Sequence, residues 1–199
     1  VMNAVKLAGL EPANVFGYFE KICSIPHGSR NTKMISDYLV SFAQEHGIRY
    51  VQDELNNVVM FQEGTCGYEN HDPVIIQGHM DMVCEKDEDC PINMDTDGLD
   101  VTHDGECVFA KGTTLGGDDG IAVAMCLALL DSDEYSHPPL EILFTSDEEV
   151  GMLGADALDV SPLKGKRMIN ADSEAEGTLW VSCAGGARTD INFEPVYID

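Results

Sequence analysis

Val74-Ile75-Ile76-Gln77-Gly78-His79-Met80-Asp81 is a short apolar run that ends on an imidazole and a carboxylate. Two further runs follow the same plan: Leu140 to Thr145 leads into Asp147-Glu148-Glu149, and Met168-Ile169 leads into Asn170-Ala171-Asp172. A fourth cluster, Gly116-Gly117-Asp118-Asp119-Gly120, opens the apolar stretch Ile121 to Leu130. The short runs read as buried strands. In an open α/β sheet, ligands collect outside the carboxyl ends of the strands. Carboxylates and one imidazole delivered to that edge by separate strands point to a metal centre. Neutral imidazole nitrogen and carboxylate oxygen are ligands that zinc, manganese and cobalt all accept.

Outward from these clusters, helices alternate with strands. Pro12 to Ser24 reads as a helix, with Phe16, Phe19 and Ile22 at helical spacing. Asn31 to His46 reads as a second, with Ile35, Tyr38, Leu39 and Phe42 as its stripe and Gly47 as its stop. Ile48 to Gln52 and Val58 to Gln62 are expected strands joined through the turn signal Asn56-Asn57. Cys84 to Gly105 is polar, acidic and loop-like, and Cys107 to Ala110 is a short strand. Asp119 to Leu130 is a buried helix, Met152 to Leu158 a short one, and Lys166 to Asn170 and Thr178 to Cys183 are strands. The fold class is therefore α/β, a mixed, mostly parallel sheet flanked by helices.

The chain of 199 residues is 44% hydrophobic, which suits one domain with a core rather than a disordered chain. Its 11 basic and 36 acidic residues give a net charge of −25. That argues against nucleic acid or an anionic membrane as partner, because both are held by basic patches. It favours metal cations. The seven cysteines are odd in number and form no C-x-x-C, which reads as reduced thiols of a cytoplasmic protein. No apolar run has the roughly 18 residues of a membrane span, and no signal segment is evident. Valine at position 1 reads as an unusual or trimmed start.

Residues two apart in a strand share a face, so His79 and Asp81 can approach one site. A ligating histidine usually gives its other N–H to a carboxylate, and Asp81 is the candidate, through the loop's turn rather than directly. The alternative for His79 is a strand-end cap. At Gly116 to Gly120 a phosphate cradle is disfavoured, since two aspartates and no lysine occupy the turn. A helix cap explains one of these aspartates, and a carboxylate bridging two metals explains the other. Glu148 and Glu149 divide into one metal ligand and one general base, or form a solvated acidic turn. Asp172 is a further ligand, or a turn residue.

Taken together, these residues resemble the two-zinc exopeptidases of the aminoacylase/carboxypeptidase type. The resemblance rests on His79-x-Asp81, the Gly-Gly-Asp118-Asp119-Gly loop, Glu148-Glu149 and Asp172. Gln77 to Cys84, Thr114 to Gly120, Thr145 to Gly151 and Cys183-Ala184-Gly185-Gly186 look like its aminoacyl-histidine dipeptidase branch. The resemblance implies that His79 and Asp172 hold one zinc, that Asp118 bridges two, and that Glu149 holds the second. Cobalt or manganese fit the same ligands. It also implies Glu148 as the base for the attacking water, Asp81 as the residue that orients His79, and a cis Asp118–Asp119 peptide. The implied substrate is a dipeptide, Xaa-His in this branch. Aspartate at position 172 is similar to aminopeptidase and dipeptidase members rather than carboxypeptidases and acylases. A related acylase or carboxypeptidase stays open as an alternative, as does a non-catalytic relative that keeps the fold for binding.

Members of this family are longer. They carry a lid-like domain, through which they usually dimerise, and then a return segment with a last histidine for the second metal. Residues 1–184 are thus expected to be the N-terminal part of the catalytic domain, and 185–199 the start of the lid. The full-length protein is expected to be a homodimer, and the chain alone inactive. His27, His46, His71, His103 and His137 read as solvated surface, and Cys84 as a buried thiol rather than a nucleophile.

Overall fold

The computed structural model describes residues 6–173, 175, 177–182, 185, 189 and 191–195. Two amphipathic helices come first. In α1 (Ala13–Cys23), Phe19, Ile22 and Cys23 are buried. In α2 (Lys33–Glu45), Ile35, Leu39 and Phe42 form the inner face. Strands β1 (Arg49–Gln52) and β2 (Val58–Gln62) follow as an antiparallel pair, and Asn56 takes a positive φ of 69° in the turn between them. Next come β3 (Val74–His79), β4 (Val101–His103), β5 (Val108–Ala110), α3 (Gly117–Leu130), β6 (Leu140–Thr145), α4 (Leu153–Ala157) and β7 (Arg167–Asn170).

The main sheet has the order β1-β2-β6-β3-β7. It is mixed: β1–β2 and β2–β6 are antiparallel, whereas β6–β3 and β3–β7 are parallel. Strand alternation sorts its side chains into two cores. Val58 and Met60 of β2, and Leu140, Ile142 and Phe144 of β6, meet α1, α2 and α3 on one side. Val59, Ile75 and Leu143 form a smaller cluster on the other, with Leu158 and Leu163 against it. All six residues of β6 are buried, which explains its near-continuous apolar sequence. Glu141 on that strand accepts the backbone N–H groups of Lys164 and Gly165, so its buried carboxylate is satisfied.

Three expectations need correction. The stretch 84–105 is not all loop, because β4 pairs with β5 in a separate hairpin. The signal was Asp104-Gly105, where Asp104 Oδ1 accepts the N–H groups of Glu106 and Cys107. Thr178 to Ser182 forms no strand, and Cys183 lies outside the described residues. Leu179, Trp180 and Val181 are 92%, 71% and 95% exposed, and strand propensity without a paired neighbour does not make a strand. Finally, His27 and His137 are buried. Each ring Nδ1 lies on a backbone carbonyl, of Ile25 at 2.6 Å and Pro138 at 2.8 Å, and burial lowers the His27 pKa so that it stays neutral.

Candidate metal centre

The parallel registers place His79 opposite Thr145 and Gln77 opposite Asn170. The carboxyl ends of β6 and β3 are therefore level, and β7 ends beside β3 two residues earlier, so that Asp172, two residues past that end, comes alongside His79. Asp81, the Asp147 to Glu149 turn and Asp172 all continue from those ends, and Asp118 reaches them from the start of α3. Among the described residues, His79, Asp118 and Asp172 bring ligand atoms within 4.8 Å of one another, and so do His79, Glu148 and Glu149. Each sequence-predicted ligand falls in one of these two groups, and His79 belongs to both.

His79 is 1% exposed and held from all sides. Its Nε2 lies 3.0 Å from Asp118 Oδ1 and 3.9 Å from Asp172 Oδ1. Its Nδ1 lies 3.0 Å from the Asp81 carbonyl oxygen and 3.5 Å from Asp81 Oδ1. Asp81 thus orients the ring chiefly through its backbone. That contact favours Nδ1–H and aims Nε2 at Asp118 and Asp172; without a metal Nε2 also carries a proton towards Asp118, and a bound cation would take that proton's place. The Asp81 carboxylate accepts the Glu148 N–H at 3.0 Å and the Ser29 hydroxyl at 2.8 Å. Burial works against its ionisation, but hydrogen bonds from His79, Glu148 and Ser29 outweigh that and hold its pKa below the usual range.

The Asp118–Asp119 peptide is cis. Both residues have non-helical φ/ψ, and neither side chain caps α3, which corrects the cap reading. Asp119 instead turns back to β3, where its Oδ2 accepts the His79 N–H at 3.1 Å. Gly78 makes this possible, because a Cβ there would lie 2.7 Å from Asp119 Oδ2. Cys84 is an exposed thiol rather than a buried one. Partial desolvation and the charges of Asp95 and Glu85 raise its pKa, which is the wrong direction for a nucleophile. The Cys183 to Gly186 motif lies outside the described residues except for Gly185.

Residues that the sequence did not single out as site residues hold the acidic turn. Asn57, buried at the start of β2, donates to the Gly154 carbonyl at 3.0 Å and accepts the Ser146 N–H at 3.0 Å. Ser146 Oγ donates to the Leu55 carbonyl at 2.7 Å. Gly154 N–H closes the turn on the Ser146 carbonyl at 3.1 Å. Only the apolar run before the turn was legible in sequence. A Cβ at Gly154 would meet Asn57 Oδ1 at 2.4 Å and the Ser146 carbonyl at 2.5 Å. Gly154→Ala is accordingly expected to destabilise by about 1–3 kcal/mol, the usual cost of overpacking. Urea unfolding of the variant checks this, and a midpoint unchanged from the parent contradicts it.

The electrostatics of the cluster fit a cation. Burial alone would lower the His79 pKa, but hydrogen bonds and charges from Asp81, then Asp118 and Asp119, push it up to about 10. Burial, helped by Asp172 and Asp118, pushes Asp119 up to about 7. Burial and neighbouring carboxylates raise Glu149 and Asp172 too. Like charges crowded in this way call for a positive ion, and the donor set is one that zinc, manganese or cobalt accepts.

The sign of the pH effect follows for the metal-free chain. His79, raised from 6.5 to about 10, contributes stability that is present below pH 6.5 and lost as pH rises to about 10. Asp119 is favoured neutral in the folded state, so its contribution is lost between pH 3.8 and about 7. A metal needs the deprotonated ligands. The gain in Tm on adding zinc is therefore expected to be larger at pH 8 than at pH 6, read from melts with zinc and with chelator. A gain that shrinks with pH contradicts this.

Residues 75–181 match the sequence profile of Peptidase family M20/M25/M40. The chain is 41% identical over 181 residues to the cytosol non-specific dipeptidase of Escherichia coli (strain K12), covering 91% of this chain and 37% of that protein. The crystal structure of aminoacylhistidine dipeptidase from Vibrio alginolyticus superposes with a TM-score of 0.83 at 45% identity, over 86% of this chain and 35% of that one. Aminopeptidase PepT from Bacillus cereus ATCC 10987 shares the fold, with a TM-score of 0.69 at 20% identity over 81% of this chain and 43% of that one. The chain thus spans little more than a third of the length of its more similar relatives. Among the described residues no helix is long and apolar enough to cross a membrane. The profile match runs from β3 past Asp172, through all the strand ends where the carboxylates gather, and covers more than half of the chain, which makes this chain a member of Peptidase family M20/M25/M40.

Proposed function

We propose that this chain is the N-terminal part of a cytoplasmic, metal-dependent dipeptidase whose preferred substrates are Xaa-His dipeptides. The observation that carries the reading is the convergence of His79, Asp118 and Asp172 where β3, β7 and the start of α3 meet, in a chain that resembles two dipeptidases at 41% and 45% identity. Residues 1–184 belong to the catalytic domain, and 185–199 begin a second, lid-like domain that also mediates a homodimer. Most of that second segment lies outside the described residues.

In this reading His79 and Asp172 would hold one zinc ion and Glu149 a second, with Asp118 as a ligand to both. When bound, the metal supplies positive charge that polarises the scissile carbonyl and acidifies water. Glu148 takes a proton from the water that attacks the peptide carbonyl and passes it to the leaving amine as the C–N bond breaks. Its backbone is tied to Asp81, and Asp81 fixes the His79 ring, so the base and the ligand share one support.

Hydrolysis of a dipeptide panel that includes β-alanyl-histidine, by the full-length protein, tests the reading. Preferred cleavage of Xaa-His, lost with chelator and restored by zinc, is the expected result. Equal cleavage of all dipeptides removes the Xaa-His preference and keeps the dipeptidase. Cleavage only of N-acyl amino acids moves the protein to an acylase, and no hydrolysis with any metal sinks the enzymatic reading.

A further inference from the structure

We propose that Ser29 is a positioning residue for Glu148, acting through the Asp81 carboxylate; the inference rests on the peptidase reading above. Ser29 lies in the loop between α1 and α2, which the sequence gives no reason to connect with the metal-ligand clusters. The structure docks this loop beside the chain leaving β3. Met82 N–H donates to the His27 carbonyl at 3.1 Å, and Ser29 N–H donates to the Met82 carbonyl at 3.1 Å. Gly28 and Met82 thereby form a parallel bridge. The next residue reaches the other acidic turn, where Arg30 N–H donates to Asp147 Oδ1 at 2.6 Å. Two consecutive residues of one loop therefore clamp the turn after β3 and the turn after β6.

Asp81 is the joint between those turns. Its side chain is buried, and each oxygen has its own donor. Ser29 Oγ donates to Oδ2 at 2.8 Å, and Glu148 N–H donates to Oδ1 at 3.0 Å. An ionised carboxylate only accepts, so the serine hydroxyl proton has to point at it. The terminal torsion of an aspartate is broad and roughly two-fold, and the donors at Oδ1, the Glu148 N–H and His79 Nδ1 at 3.5 Å, do not by themselves fix Oδ2. A donor on each oxygen removes that freedom. Without the Ser29 hydroxyl, Oδ2 has no hydrogen-bond donor among the described residues. The carboxylate then turns, and the Glu148 N–H loses a fixed acceptor. Reactions that depend on a positioned base are sensitive to such shifts, since a displacement of about 1 Å can cost about 100-fold in rate.

The test uses Ser29→Ala and Ser29→Thr in the full-length protein, with two independent readouts. One is kcat and KM on the dipeptide cleaved by the parent, with bound zinc measured alongside. The other is amide hydrogen exchange at Glu148, which needs no activity. Ser29→Ala is expected to lower kcat by about 10–100-fold with KM and bound zinc unchanged. It should also speed Glu148 exchange by about tenfold, as expected for one lost hydrogen bond. Ser29→Thr keeps the hydroxyl and should recover most of both. Unchanged exchange in Ser29→Ala overturns the proposal. So does a threonine variant as defective as alanine, or a fall in kcat that only follows lost zinc. If alanine does not fold, Ser29→Cys takes its place, and its weak donor should also speed exchange, while parental exchange overturns the proposal. A parent that hydrolyses no dipeptide with any metal removes the peptidase reading, and the exchange comparison alone then decides whether Ser29 holds Glu148.

Discussion

Glu148→Gln in the full-length protein lowers kcat by about 10²–10⁴-fold, the range that a positioned general base contributes. Glutamine keeps the length and shape of the side chain but cannot take up a proton at neutral pH. The backbone is expected to be untouched, because the Glu148 N–H, not its carboxylate, is what binds Asp81. The Glu148 carbonyl also keeps the N–H groups of Gly151 and Met152. Bound zinc should therefore stay at the parental level, since His79, Asp118, Asp172 and Glu149 are all intact. Steady-state kinetics together with metal analysis checks both halves. Turnover within a few-fold of the parent refutes the role of Glu148 as base. Loss of zinc together with turnover makes Glu148 a ligand instead, as its proximity to His79 and Glu149 permits.

Asp118→Ala should lose the metal as well as the activity. Outer-shell partners of a metal site typically contribute about 10–100-fold in affinity, and a shared ligand is expected to exceed the upper end of that range. Asp118 is half-exposed, yet its Oδ1 sits 3.0 Å from His79 Nε2, at the centre of the cluster. The fall in affinity should not come from unfolding. Asp118 raises the pKa of Asp119, Glu149 and Asp172 and also pairs with His79, so its removal relieves like-charge repulsion and loses that contact, two opposed changes in the metal-free state. The metal-free variant is thus expected to melt close to the metal-free parent, while the zinc-induced gain in Tm disappears. Zinc titration and paired melts decide the matter. A variant that keeps parental zinc affinity removes Asp118 from the metal site, and one that melts well below the parent assigns it a structural role.

Much of the fold could be read locally. The stripe of Phe16, Phe19 and Ile22 has a helical period, the six residues of β6 and the run Ile121 to Leu130 are apolar almost throughout, and each forms the expected element. Met125, at 46% exposure, is the one outward-facing side chain that the run conceals. Local signals failed where partners decide. Val101 to His103 became a strand because β5 lies beside it, whereas among the described residues no strand lies beside Thr178 to Ser182, which forms none.

The candidate site divides in the same way. By itself the sequence determined which residues are candidates for the chemistry, because ligand types are fixed by side-chain identity and each cluster is tied to an apolar run. Only the tertiary structure decided how they meet. The registers of β6, β3 and β7 bring together three strand ends that are far apart in the chain. Asp119 left its local cap for the N–H of His79, 40 residues away. Ser29 reached Asp81 across 52 residues, and Asn57 reached Ser146 across 89. Serine, asparagine and glycine have no sequence period that marks such contacts, since a hydrogen bond formed across a sheet edge depends on where the folded backbone brings its donor, and not on the neighbours of that donor in the chain.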